Sequence, residues 1–236
     1  MRTKSETSAT WQRFSRAAAI VLSMAAITTS AYAQLNSNLR GPDPTVGSLE
    51  ASAGPYTVAT ATIPKQTSYG GGVVYYPTKT TDGPFGVVAF APGFVNTNAA
   101  NKWWGPELAS HGFVVLMIDT LTLFDLPGLR GKELQAALKD VIARSQTKGE
   151  AYYGLIDPAR RAVMGHSMGG GGTLSAAASD NTLKAAIPLA PWSTVNDWSK
   201  VTTPTLIIGG QNDAVAPVST MSTVFYGSLP ATLNKA

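Results

Sequence analysis

The chain has 236 residues, 44 % of them apolar and 14 % charged, with two histidines and no cysteine. That is one domain's length, or two small ones at most, with enough apolar material for a core and too little charge for a disordered chain. It excludes disulfide staples, thiol chemistry and Cys-based zinc sites, and two histidines are too few for a His-rich metal centre.

The N-terminus carries much of the formal charge of +4: Arg2, Lys4, Arg13 and Arg16 stand against Glu6. The remaining body is nearly neutral, which does not suggest nucleic-acid binding. An apolar stretch over 17–27 follows, then Ala31-Tyr32-Ala33. This is the pattern of a secretory signal over 1–33, with a mature chain starting at Gln34 and lying outside the cytoplasm. The apolar stretch is shorter than the roughly 20 residues a span needs, so stable membrane insertion is not expected.

Residues 34–54 are rich in Asn, Gly, Pro and Ser and read as a surface lead-in. Residues 56–63 alternate apolar and Thr as a half-buried strand would; Gly70-Gly71-Gly72 turns into a second strand over 73–76. The runs 87–91 and 113–118 are continuously apolar, as central parallel strands covered on both faces are. A short helix over 103–111 fits between them, stopped by Gly112. Residues 132–145 place Leu134, Leu138, Val141 and Ile142 at helical spacing. Strands follow at 161–164, 185–189 and 205–208, with a small, Ala-rich helix over 173–179. Strands alternating with helices predict an α/β fold with a mostly parallel central sheet flanked by helices, in one domain over 55–236.

Gly165-His166-Ser167-Met168-Gly169 is a G-x-S-x-G string after a strand and before a helix. A chain that turns sharply there holds the Ser167 hydroxyl over the sheet edge as a nucleophile, the arrangement of the α/β-hydrolase fold. The N–H of Met168 and that of Phe94, in the Pro92-Gly93-Phe94 turn, are the candidate oxyanion donors. Asp213, in a loop past the strand at 205–208, is the candidate acid that orients an imidazole. Neither histidine suits the base. His166 precedes the serine and points away from it, and His111 ends a helix at the far end of the sheet.

These residues resemble the bacterial polyester hydrolases: cutinases and poly(ethylene terephthalate) hydrolases, with their dienelactone-hydrolase-like relatives. The resemblance rests on residues 165–172, Ala190-Pro191-Trp192, 212–218, Trp103-Trp104-Gly105-Pro106 and 109–115, and runs from about Gly54 onward. It implies a secreted serine carboxylic ester hydrolase acting on polyester, cutin-like or lipid-like esters through an acyl-enzyme, a monomer needing no cofactor and no metal. Ser167 is then the nucleophile, Asp213 the triad acid, and Phe94 and Met168 the oxyanion donors. Trp192 lines the subsite, Val215 packs across the cleft, and Phe94 and Met168 also face substrate. Several positions depart from the common pattern. Ser193 stands where many relatives have Asp, Phe94 replaces a tyrosine, His166 is the form common in cutinases, and Gly210 stands where one subgroup has a cysteine.

The resemblance also implies that the triad histidine, the last strand and a closing helix come after Ala236. The 236 residues alone are then expected to be inactive, with 205–208 an exposed apolar edge. Two other readings stay open: an esterase or lipase for small esters, and a relative that keeps the fold but has lost catalysis.

Overall fold

The structure, a computed structural model, describes residues 45–78 and 81–236. The expected signal over 1–33 and most of the lead-in lie outside the described residues. Residues 45–54 are exposed except for a partly covered Gly54, and hold one helical turn, Val46–Leu49, capped by Thr45.

Six strands make one sheet: β1 (Val58–Ile63), β2 (Gly72–Pro77), β3 (Phe85–Ala91), β4 (Phe113–Ile118), β5 (Ile156–His166) and β6 (Ala185–Leu189), in spatial order β1-β2-β4-β3-β5-β6. The pairs β4–β3, β3–β5 and β5–β6 are parallel, while β1–β2 and β2–β4 are antiparallel. The helices are α1 (Trp104–Ser110), α2 (Pro127–Ser145), α3 (Met168–Ser179) and α4 (Ser222–Ser228). This is the α/β-hydrolase architecture that the sequence predicts.

The continuous apolar runs have a simple cause. Alternate residues of β3 and β4 face opposite layers. Val87, Ala89, Ala91, Val114, Leu116 and Ile118 join the larger core with Leu134, Leu138 and Val141 of α2 and Leu174 of α3. Val88, Phe90, Val115 and Met117 join a second core, with Ala109, Trp104 and Leu108 of α1.

Several boundaries differ from the sequence reading. β5 runs over 156–166 rather than 161–164, because its polar residues up to Arg161 sit on a partly exposed stretch. α2 starts at Pro127, five residues before the expected start at Lys132; a proline in the first turn loses no hydrogen bond there. α3 starts at Met168 and takes in all four glycines of 169–172. Packing overrides their poor helix propensity. A Cβ on Gly169 would stand 2.2 Å from Ala91 O, and one on Gly171 2.2 Å from Trp192 O.

The segment 205–208 is not a regular strand. It touches β6 through isolated parallel bridges, Ala186 to Thr205 and Leu189 to Ile208. Nor is its backbone edge open. The N–H of Thr205 donates to Asn234 O, that of Ile207 to Ala236 O, and that of Ala236 to Thr205 O. The expected exposed edge is thus half covered: its backbone is paired by residues 234–236, and the Leu206 and Ile208 side chains stay exposed.

Candidate active site

Ser167 sits between β5 and α3 with φ 56° and ψ −119°, a conformation that costs an L-residue of order 1–3 kcal/mol. The surroundings hold it there. Its N–H donates to Leu189 O at 3.0 Å, and its carbonyl accepts from Gly171 N at 3.0 Å and Trp192 N at 2.9 Å. The turn also needs bare backbone: a Cβ on Gly165 would stand 2.3 Å from Gly169 O.

The loop after β3 lies against this turn. A Cβ on Gly93 would stand 3.2 Å from the Cβ of Ser167, and one on Gly169 would stand 2.5 Å from Pro92 O. Phe94 follows Gly93 in this loop, and Met168 follows the serine. Among the described residues, neither of their N–H groups donates to a protein acceptor. Val95, next to Phe94, has φ 53° and donates its N–H to Leu123 O at 3.0 Å. The Phe94 ring is half exposed and meets Phe124 edge-on, with centroids 5.7 Å apart. Trp192 is half-buried beside the serine backbone.

A buried charge cluster beneath these loops escaped the sequence reading. Arg130, fully buried on α2, donates from Nε to Asp125 O at 2.7 Å, from Nη1 to Pro92 O at 3.0 Å and from Nη2 to Leu123 O at 3.1 Å. Glu133 Oε1 accepts from Leu121 N at 2.8 Å, and its carboxyl lies close to that of Asp125. Burial pushes the Glu133 carboxyl up to about 7. Asp125 accepts from the N–H and the hydroxyl of Thr122, both at 2.7 Å. The one local signal was Pro127, which marks a helix start upstream of the apolar stripe.

Asp213 lies beyond the 205–208 segment, past β6, at the same end of the sheet as Ser167. Its Oδ1 accepts from Val215 N at 2.8 Å and Ala216 N at 2.9 Å. The N–H of Ala216, with that of Val215, holds the carboxyl below the usual carboxylate range. Val215 itself is 75 % exposed. Ser193 is buried, and its hydroxyl accepts from Val195 N at 3.0 Å.

His111 caps α1 just before β4 and pairs through Nε2 with Glu107 at 3.4 Å. β4 and β5 both run parallel to β3, so His111 and Ser167 are separated by nearly the full strand length, on the order of 15–20 Å. His166 has a buried Nδ1 without a partner and lines a pocket of about 270 Å³ with Trp103, Trp104, Leu189 and Ile208. Burial draws its imidazole below the usual value, and the Asp213 carboxylate raises it part of the way back. Neither histidine lies between Ser167 and Asp213 in hydrogen-bond contact with both. Among the described residues, no group of three or more His, Asp or Glu side chains is placed to hold a metal ion.

Known proteins share this arrangement of sequence. The chain is 48 % identical over 223 residues to a bis(hydroxyethyl) terephthalate hydrolase of Streptomyces coelicolor, covering 93 % of this chain and 70 % of that protein. It is 48 % identical over 199 residues to cutinase 1 of Thermobifida cellulosilytica, covering 84 % of this chain and 74 % of that one. It is 45 % identical over 226 residues to cutinase cut1 of Thermobifida fusca, covering 95 % and 69 %. Residues 32–236 match the family described as PET hydrolase-like, which with these relatives places the chain in the PET hydrolase-like family.

Proposed function

We propose that the protein is an exported serine ester hydrolase that cleaves polyester or cutin-like esters through an acyl-enzyme on Ser167. The observation that carries this reading is the strained turn at Ser167, beside the N–H groups of Phe94 and Met168, which among the described residues donate to no protein acceptor. Backbone strain that the surrounding structure holds in place clusters at functional sites. Relatives that are cutinases and a bis(hydroxyethyl) terephthalate hydrolase support the same chemistry.

In the proposed reaction, Ser167 Oγ attacks the ester carbonyl carbon and its proton passes to an imidazole. The N–H groups of Phe94 and Met168 stabilise the tetrahedral oxyanion. The carbon–oxygen bond to the alcohol breaks, and the imidazolium protonates the leaving alcohol. Water then attacks the acyl-serine, giving its proton to the imidazole, and the acid leaves. Asp213 is the acid that would fix the imidazole, since its carboxylate is ionised and anchored at one oxygen. That imidazole has to lie between Ser167 and Asp213, which His111 and His166 do not.

An apolar rim supports a polymer or cutin-like substrate over small esters. Phe94, Val95, Leu123, Phe124, Leu126 and Val215 are all at least 41 % exposed. Trp192 beside Ser167 is the proposed stacking surface for an aromatic acyl unit. Turnover of p-nitrophenyl butyrate, cutin and an aromatic polyester film by the full-length gene product tests the reading. Ser167→Ala is expected to remove all three activities. Cleavage of the soluble ester alone would favour the small-ester esterase, and turnover surviving Ser167→Ala would overturn the proposal.

A further inference from the structure

We infer that Arg130 is a positioning residue of the oxyanion hole, fastening the Pro92-Gly93-Phe94 turn to the loop over 121–126. The inference rests on the proposed role of Phe94 as an oxyanion donor. Arg130 touches no reacting atom. It is buried at the start of α2, and its guanidinium spends its donors on the carbonyls of Pro92, Leu123 and Asp125.

The geometry ties these bonds to the donor. Pro92 is two residues before Phe94, and its carbonyl orients the peptide that leads into the turn. Leu123 O accepts from Arg130 and also from the N–H of Val95, the residue after Phe94. Phe94 is thus held before it by Arg130 directly, at Pro92 O, and after it through Leu123 O, which Arg130 also holds. Farther along, Asp119 accepts from the N–H and side-chain amide of Asn98, closing the loop's other end. The Asp125 carboxylate, near the guanidinium, offsets its buried charge.

The packing shows why a long side chain reaches this place. A Cβ on Gly172 would stand 2.8 Å from the Cβ of Arg130, so α2 and α3 approach to backbone contact. Arg130 leaves α2 there and runs under the turn. A fork of planar donors can hold several carbonyls at once in fixed directions, which a single ammonium cannot.

An oxyanion donor displaced by a fraction of an ångström loses its effect on the transition state more than on bound substrate. Arg130→Met keeps the apolar stem and removes the donors. In the full-length gene product its kcat on p-nitrophenyl butyrate is expected to fall about 10- to 100-fold, with KM within about twofold. Affinity for phenylboronic acid, whose serine adduct places an oxygen in the same hole, falls by a similar factor. A folded Arg130→Met protein with kcat within about twofold of the original overturns the inference, as does a fall in kcat without weaker boronate binding.

Should Arg130→Met not fold, Arg130→Lys carries the same test, with an intermediate loss of kcat. Amide exchange in the unsubstituted chain adds a reading that needs no variant. The Val95 N–H is expected to be protected like β3, and exchange as fast as an exposed turn would overturn the clamp. Ser167→Ala separates the two failures: if it keeps turnover, the proposed function falls, whatever Arg130 does.

Discussion

The Ser167 turn and the Asp213 loop, proposed as partners in one reaction, are held in opposite ways. Ser167 is over-determined. β5, α3, the loop after β3 and residue Trp192 all press on it through backbone contacts, and its φ of 56° persists because nothing can relax. Asp213 sits past a segment joined to the sheet by isolated bridges, and two local N–H groups fix one of its oxygens. Bare backbone packing makes the first site rigid, while local hydrogen bonding leaves the second dependent on its own loop. A nucleophile has to be placed to a fraction of an ångström, whereas an acid only orients its partner, so the difference suits the proposed roles.

Substitutions can break this contrast. A large effect on rate is expected from Asp213→Ala. In the full-length gene product kcat should fall roughly 10³- to 10⁴-fold, while the thermal midpoint barely moves. A large drop in the midpoint would show that the loop is structurally coupled to the sheet after all. Gly169→Ala should do the reverse and damage folding first, because its Cβ would stand 2.2 Å from Ala91 O and 2.5 Å from Pro92 O. A loss of about 3 kcal/mol or more in denaturant unfolding is expected.

Glu133 gives a pH test of the rigid side. Its folded value is raised from 4.5 to about 7 by burial, so the folded protein holds a proton that the unfolded chain has released between those values. Stability should therefore fall as pH rises from about 4.5 to 7, by at most about 3 kcal/mol, and stay level above. Glu133→Gln should flatten that slope in unfolding curves taken across the range. Ser167→Gly should remove the strain at the turn and raise stability by about 1 kcal/mol while abolishing turnover. A destabilised Ser167→Gly protein would mean that the φ value carries no strain.

The smallest effect concerns Asp213 again. Its folded value lies below the ordinary one, so the loop's support is fully present above the ordinary carboxylate range and is lost as pH falls through that lower value. Amide exchange at Val215 and Ala216 should quicken on acidification below that point, with no change at β5.

The sequence by itself determined the six strands of the sheet and the family, while the strand it predicts at 205–208 is reduced to isolated bridges. Alternation in 56–63 and continuous apolar runs at β3 and β4 follow from burial on one face or two, which is a property of neighbouring residues. The G-x-S-x-G string carries its own geometry, because the glycines it needs stand two residues to either side of the serine. The tertiary structure alone decided what lies beneath. The helix over Gly169, Gly170, Gly171 and Gly172 defies local propensity and exists because Ala91, Pro92, Pro191, Trp192 and Arg130 crowd against it. Nothing in the sequence around Arg130 and Glu133 signals that their charges are buried. They are buried because their partners, Pro92, Leu121 and Leu123, come from loops that only the sheet brings together. Sequence periodicity reports the average environment of a face, and it is silent about the single carbonyl oxygens that a folded chain aims at one buried charge.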